Sequence, residues 1–318
     1  MVISKLNSVA GWRKQESALR LTFGLRRFPF SALAAMSAFP AFPGERNSRR
    51  YRSGAICALL TAMICKVDYH THPQAHTLRP YTIEALQPWI DRCRERRVES
   101  IAFTDHDRYC DGVVFDAIDR LRDQNPDIDI LIGIELDNDP VTSERGFNWV
   151  EENWDRLDLV LGSVHYFSGE ERMFDGTDQS RQIEQRGADG AFSEYIGQLT
   201  SLLRRGRIDC LSHLDLVKIH GFFPENYDAA ATFDPLLDLI RKNDLAIEIN
   251  TAGWRKKVGE QYPAAAIVKR AVALEIPITI SSDAHSYVQV AEGYERLEAL
   301  LEAEGITKIS RFSRHRQQ

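Results

Sequence analysis

Nine histidines punctuate this 318-residue chain, at positions 70, 72, 76, 106, 165, 213, 220, 285 and 315. Most stand close to a carboxylate. Two lie in Asp68-Tyr-His-Thr-His72, with His76 four residues further on. Others lie in Thr104-Asp-His106, Ser163-Val-His165, Ser212-His-Leu-Asp215 and Ser281-Ser-Asp-Ala-His285. Neutral imidazole and carboxylate together are the donor set of zinc, manganese and iron sites. One tetrahedral ion uses about four such ligands. Nine candidates, with Glu135 and Asp283 counted, therefore suggest two or three ions.

The histidines are in phase with the elements that must carry them. Strand candidates are residues 64–69, 98–104, 128–136, 157–164, 208–214, 246–250 and 276–281. They are Val-, Ile- and Leu-rich rather than alternating, as expected of strands buried on both faces. His70, His72, His106, His165, His213 and His285 fall at the C-terminal end of a strand or just beyond it. The third strand brings Gly133-Ile-Glu135, and the sixth ends in Glu248-Ile-Asn250. Helical patterns separate the strands, at 82–97, 112–124, 191–205, 233–243 and 264–274, with Thr82 as an N-cap. Strands alternating with helices predict a parallel α/β fold. In a parallel barrel all C-terminal strand ends meet on one face, where active sites lie. A closed or nearly closed barrel would gather these side chains; an open sheet would separate its outer strands.

The chain is 43% hydrophobic and 27% charged, so it can bury a core and is not compositionally disordered. Its net charge of −6 is an average over unlike segments. Residues 1–62 carry ten basic and two acidic residues, leaving the rest at a net −14. An acidic body gives no support to nucleic-acid binding. The basic leader admits three readings: a targeting peptide, an arm for an anionic partner, or a coding start placed upstream of Met63. The apolar run from Ala55 to Cys65 is too short to span a bilayer. Five cysteines without a Cys-x-x-Cys pair suggest neither a disulfide framework nor a cysteine–zinc site, and fit a cytoplasmic setting. The expected organisation is a leader over 1–62, one barrel domain over 63–310 and a tail over 311–318. His220 and His315 match no metal motif and are expected to be ordinary surface or loop residues.

The ordered set of histidine and carboxylate motifs resembles the PHP (polymerase and histidinol phosphatase) superfamily over about residues 64–305. Within it, Ser212-His-Leu-Asp-Leu-Val217, Glu248-Ile-Asn-Thr-Ala-Gly-Trp-Arg-Lys256 and Tyr262-Pro263 are similar to the PHP-type histidinol-phosphatases. The resemblance implies a distorted (β/α)7 barrel, TIM-like, with three divalent ions (zinc, manganese or iron). It implies His70, His72, Glu135 and Asp283 on a first ion, and Glu135, His165 and His213 on a second. His76, His106 and His285 would hold a third. His76 sits in a shorter loop than in many relatives.

The implied reaction is hydrolysis of the phosphate monoester L-histidinol phosphate, a small-molecule substrate needing neither nucleic acid nor membrane. Glu135, Asp283 and His285 would be catalytic through the ions. Asp215 would handle protons or orient a ligand. Arg255 suits bidentate phosphate contact, or is a solvated loop cation. Asn250 and Trp254, with Glu248, lie in the region expected for the rest of the substrate. Three alternatives stay open: a PHP phosphoesterase for nucleotides or oligonucleotide ends, an amidohydrolase, and a non-catalytic metal-binding module. The sequence leaves the oligomeric state undetermined.

Overall fold

A computed structural model describes residues 66–138 and 143–318. The basic leader and its three readings lie outside the described residues. Seven parallel strands form one sheet in sequence order: β1 Val67–Asp68, β2 Ser100–Phe103, β3 Asp129–Asp137, β4 Leu159–Ser163, β5 Cys210–Leu211, β6 Ala246–Asn250 and β7 Ile278–Ser281. All seven lie inside, or within a residue of, the segments expected from sequence. Nearly every strand residue is buried, which explains the continuous apolar runs: one face fills the barrel and the other packs on helices.

β1 and β7 do not pair along their length. They meet just beyond their C-terminal ends, where Thr71 bridges Ala284 in parallel. There the His72 amide donates to the Ala284 carbonyl at 2.8 Å. The Asp68 carboxylate adds a second clasp, accepting from the Ser282 amide and hydroxyl and from the Ala291 amide. The barrel is therefore nearly closed, a distorted (β/α)7 form, and its seam is tightest on the face bearing the histidines.

Around it run α1 Ile83–Arg96, α2 Phe115–Gln124, α3 Ser143–Asn153, α4 Ser180–Arg205, α5 Ala229–Lys242, α6 Ala265–Ala273 and α7 Tyr294–Ala303. Thr82 caps α1 by accepting from the Ala85 amide, and Asp228 caps α5 through the Ala231 amide. Each cap satisfies a backbone donor that the first helical turn leaves without a partner. α4 starts eleven residues before the expected helix because it is two helices merged across a kink at Gly187, whose φ is +67°. α2 begins three residues after the expected start at 112, which is the last residue of a 3-10 helix over Asp107–Gly112. α3 and α7 were not anticipated at all. No helix among the described residues is long and apolar enough to cross a membrane. Cys93, Cys110 and Cys210 are free and buried.

The expected tail is a packed hairpin. β8 Phe312–Ser313 pairs antiparallel with β9 Arg316–Gln317. Arg314 and His315 make the two-residue turn, with φ of +47° and +63°. His315 is consequently no surface bystander. Its ring stacks on Trp154 at 3.6 Å, Nδ1 lies 2.7 Å from Asp209 and Nε2 lies 2.9 Å from the Trp154 carbonyl. His220 is likewise buried, and its Nε2 donates to the Phe174 carbonyl at 2.7 Å. Both stand in turns, as expected, but each ring holds specific partners instead of pointing freely into solvent.

Candidate metal centre

Glu135 sits at the middle of the C-terminal face, fully buried near the end of β3. Its Oε1 lies 2.9 Å from His213 Nε2, 3.3 Å from His70 Nε2 and 3.6 Å from His165 Nε2. Its Oε2 lies 2.7 Å from His106 Nδ1 and 3.7 Å from His72 Nε2. One carboxylate thus faces five imidazoles from four strand ends. Asp283 stands on the far side of His72, 3.3 Å from its Nε2, and His285 Nδ1 is 3.4 Å from Asp283. Asp283 adopts φ +52°, a left-handed conformation rare outside glycine. Such strain persists only where the surroundings impose it.

His76 joins the outer edge. Its ring centroid is 4.6 Å from His285 and 5.5 Å from His106. It lines the cavity, although its nitrogens are not within the compact groupings. Those groupings are His70–His72–Glu135, His106–Glu135–His165, His70–His213–Asp283 and His72–His106–His285.

Buried carboxylates hold the rings in place. Glu248 places both oxygens 3.0 and 3.1 Å from His70 Nδ1. It also accepts from the His213 amide, the Ser281 hydroxyl and Asn250 Nδ2. Asp137 lies 2.9 Å from His165 Nδ1. Each arrangement puts a proton on Nδ1 and turns the Nε2 lone pair inward, the usual carboxylate–histidine support of a metal ligand. Glu248 and Asp137 escaped the sequence reading as supports. Asp137 ends β3 two residues after Glu135, while Glu248 stands at the middle of β6. Asp68 and Asp105 stand beside cluster histidines in sequence, yet neither closely supports a ring. Asp68 clasps the barrel seam. Asp105 accepts from Tyr81 Oη and the Gln74 amide, and stays 3.9 Å from His72 Nδ1.

The electrostatics divide the site. Burial alone would lower the pKa of His70, but Glu248, Glu135 and Asp283 push it well above the ordinary value. His165, between Glu135 and Asp137, is raised in the same way to about 10. Burial and neighbouring imidazoles lower His72 and His76, and bring His285 down to about 4 despite the nearby Asp283. For Glu135 burial would raise the pKa, yet His70, His165 and His106 hold it well below the usual carboxylate range. One half of the cluster thus concentrates negative charge, and the other presents neutral imidazoles. Both halves invite a cation.

The fit to metal can be judged from orphaned atoms. His70 Nε2, both nitrogens of His72, His106 Nε2 and Glu135 Oε2 are buried without a hydrogen-bond partner. Such groups are costly to bury unless something meets them. Imidazoles and carboxylates crowd these atoms, and divalent cations would meet those that hydrogen bonds leave unmatched. The buried His/Glu/Asp clusters are consistent with a multinuclear metal site.

The cavity over the cluster has a volume of about 250 Å³ and is also lined by Asp175, Leu216, Arg255, Lys256 and Tyr262. Of the three residues expected on the substrate side, one lines this cavity and two stand outside its lining. Asn250 is fully buried outside the cavity lining: its amide donates to Glu248 and Asp283, and its Oδ1 accepts from Ala252. All its polar atoms serve the scaffold. Trp254 also stands outside the lining. Its Nε1 donates to Gln261, Arg296 covers its ring at 4.5 Å, and Gly293 packs so closely that a side chain there would strike the indole. Arg255 does line the cavity, but Nη2 is engaged with the Ser282 and Asp283 carbonyls at 2.8 and 3.1 Å. It braces the strained turn that presents Asp283. Asp215 is buried beneath the cavity, paired with Lys218 Nζ at 2.8 Å and accepting from the Ala264 amide.

A nearly closed seven-stranded parallel barrel with a buried histidine–carboxylate cluster at its C-terminal face defines the class. The PHP domain family matches residues 68–252, and the chain belongs to that family. A curated relative from Deinococcus radiodurans, named "Probable histidinol-phosphatase", is 33% identical over 195 residues, 59% of this chain and 69% of the relative. The solved histidinol phosphate phosphatase of Lactococcus lactis, complexed with zinc, L-histidinol and phosphate, is 19% identical. It superposes with a TM-score of 0.61 over 80% of this chain and 99% of its own. A structure from Listeria monocytogenes gives 0.60 at 20% identity, over 73% and 99% of the two chains. These two likenesses show the fold.

Proposed function

We propose that the chain is a metal-dependent phosphatase that hydrolyses L-histidinol phosphate to L-histidinol and phosphate. The observation that carries the reading is Glu135, ringed by five imidazoles with orphaned inward-facing atoms. His70, His72, Glu135 and Asp283 would hold one ion, Glu135, His165 and His213 a second, and His76, His106 and His285 a third. Bound divalent ions would supply Lewis acidity toward phosphoryl oxygens and acidify water.

The chain's own groups do the rest. Glu135, with imidazoles of every proposed site around its two oxygens, would be shared between the first and second ions. Glu248 and Asp137 fix the tautomers of His70 and His165. His285, with its pKa held near 4, stays unprotonated at neutral pH and is a ligand rather than a proton donor. Arg255 and Lys256 place positive charge at the mouth, where a phosphate dianion enters. An outer recess of about 430 Å³ shares His76, Asp175 and Lys256 with the inner cavity. The two spaces together match the size of small-molecule sites rather than of a polymer groove. The named substrate rests on the Deinococcus relative's name and on the ligands of the Lactococcus structure.

The test is phosphate release by the full chain across a panel of L-histidinol phosphate, nucleoside monophosphates and short oligonucleotides. The expected result is highest kcat/KM on L-histidinol phosphate, lost on chelation and restored by zinc, manganese or iron. Undiminished turnover after complete metal removal overturns the mechanism. Higher kcat/KM on nucleotides or oligonucleotide ends moves the chain to the other phosphoesterase reading.

A further inference from the structure

Three carboxylates line the inner cavity: Glu135, Asp283 and Asp175. The first two are surrounded by imidazoles. Asp175 is different. It stands where the inner cavity and the outer recess meet and lines both. Its Oδ1 is buried and has no hydrogen-bond partner. Its charge acts on His76, His165 and Tyr262, which places it close to the outer part of the cluster.

The segment carrying Asp175 is firmly held. The Phe174 amide donates to the His165 carbonyl at 2.8 Å, and the Phe174 carbonyl accepts from His220 Nε2 at 2.7 Å. The Phe174 ring is fully buried, 4.7 Å from Phe167 and 5.8 Å from Tyr195. His220, which no metal motif claims, thus anchors the residue next to Asp175.

A carboxylate fixed beside a phosphate site opposes the dianion unless cations offset it, and although Lys256 lines the same spaces, Asp175 Oδ1 keeps no partner. Leaving a buried carboxylate oxygen unmatched is also costly. A substrate bearing a primary ammonium near its phosphoester removes both penalties. We propose that Asp175 is the ammonium-binding residue of this site, selecting phosphate monoesters that carry an amine close to the ester carbon. This rests on the phosphatase reading and narrows it to amine-bearing substrates.

The test pairs Asp175→Asn with two measurements. The first is the ratio of kcat/KM for L-histidinol phosphate to that for its deaminated analogue. Loss of one charge-assisted hydrogen bond predicts a fall in that ratio of roughly 10- to 100-fold. The second is calorimetric binding of L-histidinol and its deaminated analogue to metal-loaded protein, which needs no turnover. The preference for the amine should fall in the variant by a similar factor. An unchanged preference overturns the proposal. So does a variant that binds fewer metal ions per chain, since Asp175 would then be a ligand. Amine-dependent binding that vanishes in the variant of a chain with no phosphatase activity would sink the phosphatase reading and leave the subsite standing. Phosphatase activity indifferent to the amine would do the reverse.

Discussion

Glu248 brackets Nδ1 of His70 with both carboxylate oxygens, at 3.0 and 3.1 Å, across 178 residues of sequence. The contact forces the imidazole to present Nε2 toward Glu135, 3.3 Å away. It joins β6, which supplies no histidine, to the cluster built by the other strands. The sixth strand thus contributes orientation where the others contribute the clustered imidazoles and carboxylates.

Glu248→Gln should weaken metal binding on the order of 10- to 100-fold, the usual cost of losing such a support. The glutamine keeps the shape but cannot hold the His70 tautomer in the same way. Metal titration against a competing chelator reads the effect directly. An affinity equal to that of the unsubstituted chain would show that His70 needs no such support.

Lys218 is fully buried, with Nζ 2.8 Å from Asp215 and 2.6 Å from Glu260. Burial raises the pKa of Asp215 even though Lys218 opposes the shift. Lys218→Met would strand Asp215 without its cation. The expected loss is about 3–5 kcal/mol of stability, the range for breaking one side of a buried pair. Adding Asp215→Asn should recover part of it. Urea denaturation of both variants is the check, and equal midpoints for Lys218→Met and the unsubstituted chain would refute the account.

His315 yields a pH dependence remote from the cluster. Both ring nitrogens face acceptors, the Asp209 carboxylate and the Trp154 carbonyl, so the ring must carry two protons to satisfy them. Burial alone would lower its pKa, but Asp209 and the carbonyl raise it above the ordinary 6.5. A group that binds its proton more tightly when folded stabilises the fold fully below its unfolded pKa. That contribution fades as pH rises through the folded value. The stability gap between the unsubstituted chain and His315→Gln should therefore be widest near pH 6 and narrow toward pH 9, by denaturation at each pH. A gap that widened with pH would mean the ring is neutral in the folded chain.

The seven strands, and the clustering of six histidines with Glu135 and Asp283, were legible from the residues alone. The reason is periodic. Strands buried on both faces are continuous apolar runs, and a parallel barrel sends every C-terminal end to one face. A histidine at a strand end therefore has its destination written in its position. The roles of Asn250, Trp254, Glu248 and His220 were not legible, because each depends on which way one side chain turns. Asn250 and Glu248 are two residues apart on β6, so both face the same side, yet only Glu248 touches a ligand ring. The C-terminal hairpin was hidden for a related reason. Arg314-His315 has none of the usual turn chemistry, and the strained turn is held by His315 packing on Trp154 and Asp209. Sequence by itself determined the barrel and the histidine–carboxylate cluster at its face. Only the tertiary structure decided which carboxylates steady the rings and which one, Asp175, is left open to the cavity. That choice is made by contacts between residues far apart in the chain, which no local pattern records.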